Sequence, residues 1–276
     1  MSATGRTIVI TGGSDGIGAA AAHRLSRAGE KVVVVGRSES KTRALATELG
    51  VDSFVADFAD LSQVRSLAQE LRSRYPRIDV LANNAGGMNT KLRITTDGFE
   101  QTYQVNFLAP FLLTTSLLDV LVDSRATVVN TTSASQKLVR RFTIEDLESI
   151  HQRRPSQAYA LTKLAIILFT KELHRRYHGG GVSTAAFHPG YVDTNFGSAS
   201  GSRFLVFMRR TPARYFTVTA EQGADQLVWL ASSTPGVDWQ SGEYYSKHRV
   251  GKANRAAYDA RLARELWERT AAILSR

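Results

Sequence analysis

The 276-residue sequence has no cysteine, only six prolines and three methionines. Without thiols it can build no disulfide, no thiolate nucleophile and no cysteine-ligated zinc site. That lack fits a reducing compartment, and a cytoplasmic location is the expectation. No apolar run reaches the roughly 18 residues that a bilayer-spanning helix needs. The start, "MSATGRTIVITGG", lacks the basic-then-apolar layout of a signal peptide. Internal repeats and low-complexity tracts are also missing. What is there reads as ordinary globular protein, 43% hydrophobic and 22% charged. The length suits one large domain over residues 1–276.

Charge is unevenly spread. The net value is +10, of which residues 1–136 carry +1 and residues 137–276 carry +9, with Arg-Arg pairs at 140–141, 153–154, 175–176 and 209–210. Three readings compete: a solvated basic face, a surface for an anionic ligand or lipid, or a nucleic-acid surface. No nucleic-acid motif accompanies the excess, so the solvated face is favoured and no nucleic-acid partner is expected.

Short β-branched runs alternate with stretches of helical period. Residues 6–11, 31–36, 79–82, 126–132 and 182–187 read as buried strands, with 51–56 and 242–246 as weaker sixth and seventh members. Residues 16–28, 38–49, 60–75, 97–122 and 156–178 read as helices, followed by one beginning near Thr219 and a last one over 253–274. Near-continuous apolar strands separated by helices predict an α/β doubly wound Rossmann domain around a mostly parallel seven-stranded sheet. Ligands of such sheets bind beyond the carboxyl ends of the strands. The stretch 198–217 breaks the rhythm and reads as a plain connection or as a substrate lid at about 195–217.

The turn "ITGGSDGIGAA" (10–20) admits two chemistries. Gly12, Ser14 and Gly16 spell the nucleophile elbow of serine hydrolases, and Asp238 and His248 follow in the required order. An elbow, however, belongs in the middle of a sheet with an oxyanion loop upstream, whereas this turn follows the first strand. The alternative is a phosphate cradle. Glycines at 12, 16 and 18 permit positive φ and close backbone approach, and the following helix presents its free N–H groups and positive dipole end to an anion.

The residues downstream decide between them. Thr11 to Gly18 match T-G-x-x-x-G-x-G, "NNAG" stands at 83–86, Ser133 follows the fifth strand, Tyr159 and Lys163 form Y-x-x-x-K, and "PGYVDT" (189–194) follows the sixth strand. In these motifs the sequence resembles the short-chain dehydrogenase/reductase family over nearly its whole length. The resemblance implies an NAD(P)-dependent oxidoreductase acting on CH–OH or C=O groups. It makes Tyr159 the acid/base and Lys163 the residue that lowers its pKa and holds the nicotinamide ribose. Ser133 steadies the substrate oxygen, and Asn106 holds a water linking the lysine to solvent. Gly12, Ser14, Asp15, Gly16, Ile17, Gly18, Asp57, Asn84, Gly190, Val192 and Thr194 are the further cofactor-binding candidates that it carries over. Asp57 stands where the family has an aspartate near the adenine; by itself it reads as a cap for the helix near Asp60. Asn83 and Asn84 read alternatively as holding neighbouring loop backbone.

The Tyr159–Lys163 spacing has its own logic. An ordinary tyrosine titrates near 10, too high for base work near neutrality. A cation within roughly 4–6 Å favours the phenolate, and residues four apart on a helix share a face.

Cofactor choice turns on the end of the second strand, where an acidic residue holds the ribose hydroxyl of NAD and an arginine accommodates the 2′-phosphate of NADP. Gly36 and Arg37 stand there, with Lys41 a turn later. NADP is therefore favoured over NAD, although Asp15 places a negative charge nearby. The 26 positions from Ser133 to Tyr159 exceed the usual family spacing. The insertion resembles the branch containing retinol dehydrogenases and protochlorophyllide reductases, which implies a hydrophobic alcohol or carbonyl. Thr132 departs from a frequent serine. His174 and His178 stand four apart without the glutamate of H-E-x-x-H, so no metal is expected. His188 reads as packing or lining the site. The family resemblance also implies a homodimer or homotetramer. A rival reading keeps the fold but not the catalysis, as a cofactor-sensing regulator or nucleic-acid-associated protein.

Overall fold

A computed structural model describes residues 5–192 and 217–275; the side chains of residues 191, 192 and 217 fall outside that description. Thr194 and nearly all of the 195–217 stretch therefore lie outside the described residues. Strands β1 (Thr7–Thr11), β2 (Lys31–Gly36), β3 (Asp52–Val55), β4 (Val80–Asn83), β5 (Thr127–Thr131) and β6 (Ser183–Phe187) form in the order of the apolar runs. A two-residue ribbon pairs β7 (Tyr191–Val192) with β8 (Thr217–Val218), and β9 (Glu243–Ser246) and β10 (Arg249–Val250) follow.

The main sheet runs β10-β9-β6-β5-β4-β1-β2-β3. Seven of these strands are parallel, as the sequence predicts. An eighth, β10, folds back antiparallel on β9 as a two-residue edge. From β1 the chain builds outward through β2 and β3, then returns to the other side of β1 for β4, β5 and β6. The carboxyl ends of β1 and β4 thus flank the point where the order reverses, which is where such sheets open a crevice.

Alternate residues of each strand face opposite sides. Val9, Val33, Leu81, Val128 and Tyr244 join the core beneath the helices Leu61–Arg74, Ala109–Ser116, Pro155–Tyr177 and Ala260–Leu274. Ile8, Ile10, Val34, Ala82, Val129 and Tyr245 join the opposite core beneath Gly16–Arg27 and Ala220–Ser232. Strands covered on both sides need no polar alternation, which is why the runs are so uniformly apolar. The insertion between Ser133 and Tyr159 is not a surface loop, since Phe142, Ile144, Leu147 and Ile150 are buried in the first of these cores.

Helix ends follow their capping residues. Asp15 caps Gly16–Arg27, and Ser38 caps Glu39–Leu49. Asp60 caps Leu61–Arg74 through Ser62 N and Gln63 N, so the capping role considered for Asp57 belongs to Asp60. Thr219 and Gln222 form a reciprocal capping box at Ala220–Ser232. The last helix begins at Ala260 rather than 253. Asp259 accepts from Arg261 N and Leu262 N there, and residues 255–258 form a 3₁₀ turn instead.

Candidate active site

The glycine turn lies directly beyond β1. Gly12 (φ +63°) and Gly16 (φ +51°) adopt the left-handed backbone that other residues reach only with strain. Gly18 is required for a different reason: a Cβ there would stand 2.1 Å from the Gly12 carbonyl oxygen. The helix that follows offers its N-terminal amides, of which Asp15 takes Gly16 N at 2.8 Å. These features fit a phosphate group approaching the backbone. Ser14 lies beside Gly36 and Thr42, where a Cβ on Gly36 would meet the Thr42 hydroxyl at 2.2 Å and the Ser14 hydroxyl at 2.4 Å. Asp238 is engaged with Thr234, and His248 packs on Trp229. The Ser–Asp–His order of a hydrolase thus corresponds to no assembled triad.

Three strand ends are stitched together across this crevice. The Thr11 hydroxyl accepts the amides of Asn84 and Ala85, both at 3.0 Å, and donates to the Ala82 carbonyl at 3.2 Å. The Asn84 side-chain amide donates back to Thr11 O at 3.1 Å and Gly12 O at 3.4 Å, while its oxygen accepts from the Thr131 hydroxyl at 3.3 Å. Asn84 is thus a fastener of the glycine turn. Asn83 is buried and donates to Thr114 and Asn130 behind it.

Asn106 sits in a π-helical turn, Gln104–Leu108, inside the long helical stretch after β4. Its side chain accepts from Gly87 N and donates to Gly87 O, both at 2.8 Å. A Cβ at Gly86 would meet the Asn106 oxygen at 3.0 Å and the Lys163 amine at 3.3 Å, so this glycine leaves room for the two side chains to converge.

Tyr159 and Lys163 project from one face of Pro155–Tyr177 toward the same crevice. The Lys163 amine stands 5.6 Å from the Tyr159 ring centre and donates to the Thr131 carbonyl at 3.0 Å. Thr162 bonds the Tyr159 carbonyl at 2.8 Å, and Thr132 bonds the Lys163 carbonyl at 2.6 Å. The Thr132 bond ties the helix backbone at Lys163 to the end of β5, while the Thr162 bond lies within the helix itself. Burial pushes the Tyr159 phenol up to about 12, opposed by a hydrogen bond from Ser133. Burial also lowers the Lys163 amine to about 8. The expected lowering of Tyr159 by its lysine is therefore not the dominant influence; desolvation is, and the opposing contact is the serine hydroxyl.

The remaining candidates lie along the rim. Arg37, immediately after β2, and Lys41 are exposed. Lys41 pairs with Asp15 at 2.6 Å, so the acidic charge that counted against NADP is matched by a cation. The Asp57 carboxylate accepts from Ala59 N at 2.9 Å. Gly190 (φ +94°) turns the chain after β6 into Val192 of β7. The sequence motifs contain Thr11 and Gly86 without giving them a role of their own, and nothing in them marks Thr131 or Thr162. Those first two carried a local signal in the T-G and NNAG motifs, whereas Thr131 and Thr162 meet Asn84 and Asn106 from distant segments. His174 and His178 stack on each other at 4.4 Å, and the described residues hold no cluster of metal-ligating side chains.

Comparison with known proteins agrees with this geometry. A family model described as short chain dehydrogenase matches residues 6–203. DnrU of a Streptomyces species (strain C5), whose name assigns it daunorubicin C-13 ketoreduction, is 42% identical over 98% of this chain and 93% of its own. Mouse retinol dehydrogenase 14 is 34% identical over 96% of this chain and 84% of its own. A solved protein of Mycobacterium paratuberculosis superimposes with a TM-score of 0.78 at 31% identity, covering 98% of this chain and 93% of that one. A Beutenbergia cavernae structure described as an NAD(P)-dependent gluconate 5-dehydrogenase, with NADP bound at low occupancy, gives 0.66 at 30% identity over 83% and 90%.

Proposed function

The chain belongs to the short-chain dehydrogenase family, NAD(P)-dependent oxidoreductases of CH–OH and C=O groups, and within it we propose an NADP(H)-preferring enzyme for a hydrophobic carbonyl or alcohol with Tyr159 as acid/base. The observation that carries the reading is the convergence of Tyr159, Ser133 and Lys163 at the carboxyl end of β5, beside the glycine turn. When bound, a nicotinamide dinucleotide supplies or accepts the hydride.

The chain's own residues handle the proton. With its phenol near 12, Tyr159 holds its proton at neutral pH and is poised to donate it to a carbonyl oxygen during reduction. Ser133 is in hydrogen-bond contact with the phenol, so a substrate oxygen taken up between them would lie within reach of both hydroxyls. In the oxidative direction, the Ser133 hydroxyl and the charged Lys163 favour the phenolate that must form.

NADP preference is supported at the end of β2. A side chain at position 36 has no room beside Thr42 and Ser14, so an acidic residue is sterically unwelcome there. Arg37 follows directly with a guanidinium suited to a phosphate. The names of DnrU and the retinol dehydrogenases support a bulky, largely apolar substrate class for this chain too.

Tyr159→Phe tests the reading. Turnover should fall by at least about 10²-fold, the scale of lost general acid–base catalysis, while NADPH affinity stays within about twofold. A carbonyl panel run with NADPH and NADH in parallel should favour NADPH. Unchanged turnover in the variant would refute the role of Tyr159, and preference for NADH would refute the cofactor assignment.

A further inference from the structure

Ser133 lies on a short 3₁₀ turn whose orientation is fixed from outside. Within the turn, its hydroxyl accepts the Ser135 amide at 3.2 Å. The same hydroxyl is in hydrogen-bond contact with the Tyr159 phenol. The intervening peptide N–H, that of Ala134, points away from the turn and donates to His188 Nδ1 at 3.2 Å. At the far end, Asn254 grips the turn three times. Its amide donates to Gln136 Oε1 at 2.7 Å, and its side chain donates to Gln136 O at 3.0 Å and Val139 O at 2.6 Å.

His188 is itself held firmly. It directly follows β6, its amide donates to the Tyr245 carbonyl at 3.0 Å, and its carbonyl accepts from Gln226 Nε2 at 2.7 Å. Burial and the positive charge of Lys137 keep the imidazole neutral, at about 4. A ring nitrogen that accepts from Ala134 N must be unprotonated, which places the ring proton on Nε2. The turn also tolerates two buried polar atoms without a hydrogen-bond partner among the described residues, Ser135 Oγ and Gln136 Nε2. Packing that served stability alone would not favour such a conformation; it is held in place by the contacts at its two ends.

We infer that His188 is a positioning residue for the Ser133 hydroxyl, acting through the Ala134 peptide, with Asn254 fixing the other end of the same turn. The inference rests on the acid/base reading above. It assigns His188 an effect on the chemical step that passes through the serine turn by way of the Ala134 contact.

The experiment compares His188→Leu, His188→Asn, Ser133→Ala and the double variant Ser133→Ala/His188→Leu. It measures kcat and KM with a carbonyl taken from the panel, together with the Kd for NADPH. His188→Leu should lower kcat by about 10- to 100-fold, the scale of a small misplacement of a reacting group, with the NADPH Kd within about twofold. His188→Asn, which keeps an acceptor, should recover most of that loss. In the Ser133→Ala background, His188→Leu should cost little more, because its effect passes through the missing hydroxyl. Losses that multiply in full in the double variant, or wild-type kcat in His188→Leu, overturn the inference while leaving the role of Tyr159 intact. If Ser133→Ala alone keeps full turnover, the role of the serine hydroxyl falls and this inference falls with it, whereas the acid/base reading itself falls only if Tyr159→Phe keeps turnover. Should His188→Leu not fold, Asn254→Ala gives the same test from the other end, with a kcat loss that Ser133→Ala again masks.

Discussion

At Lys163, burial and the Thr131 carbonyl act on the same ammonium in opposite senses. Burial brings the amine from 10.5 to about 8, while the carbonyl 3.0 Å away favours the charged form. Below pH 8 the folded protein carries a buried charge that the unfolded chain carries in water, so the cost to stability is fully present. Between pH 8 and 10.5 the folded amine gives up its proton first and the cost fades; above 10.5 it is gone. The shift corresponds to about 3 kcal/mol, and stranding the Thr131 carbonyl returns about 1 kcal/mol or more of it. Lys163→Met should therefore melt a few degrees higher than wild type at pH 7 while losing turnover. At pH 10.5 the order should reverse, as paired thermal melts would show. The pair Tyr159 and Lys163 was legible in the sequence because four-residue spacing on a helix is a local fact. His188 was not: its contact with Ala134 spans 54 positions, and that of Asn254 with Gln136 spans 118. No local pattern encodes such a meeting.

At the level of elements, the Pro155–Tyr177 helix presents Tyr159 and Lys163 near its first turns and packs its later turns against the C-terminal helix. Trp267 of that helix stacks on Phe169 with ring centres 5.7 Å apart, meets Phe111 edge-on at 4.9 Å and lies under Arg176 at 4.9 Å. Trp267→Ala should cost about 3–5 kcal/mol, the usual range for a large aromatic lost from a core. Turnover per folded molecule should be nearly unchanged, since none of these contacts reaches the crevice. Urea denaturation with kinetics on the same samples would check both. A local signal of packing is present in the apolar stripe of Leu262, Leu266 and Trp267. It could not foretell that Asp259 would cap the helix, leaving 253–258 free to hold the serine turn. Nor could apolar patterning show the π turn at Asn106, because residues 106–114 are buried on every side and leave no polar face to mark a shift of phase.

Across the whole molecule, the doubly wound sheet was legible because its strands are covered on both sides and so spell uniform apolar runs. The eighth strand was not, since Arg249 and Val250 are two exposed residues with no periodic signal. Within the second half Arg175 and Arg176 share Glu172, Arg153 meets Asp146, Lys171 meets Glu243 and Arg269 meets Glu148, pairs between charges of that half which leave its net basic excess unchanged. The stitching of Thr11, Asn84 and Thr131 reaches across three neighbouring strands of the sheet. A floor riveted in this way cannot part along one seam without parting along the next. In deuterated solvent the amides of Asn84 and Ala85 should therefore exchange only as fast as the entire domain opens, whereas Thr11→Ala should let them exchange through local breathing.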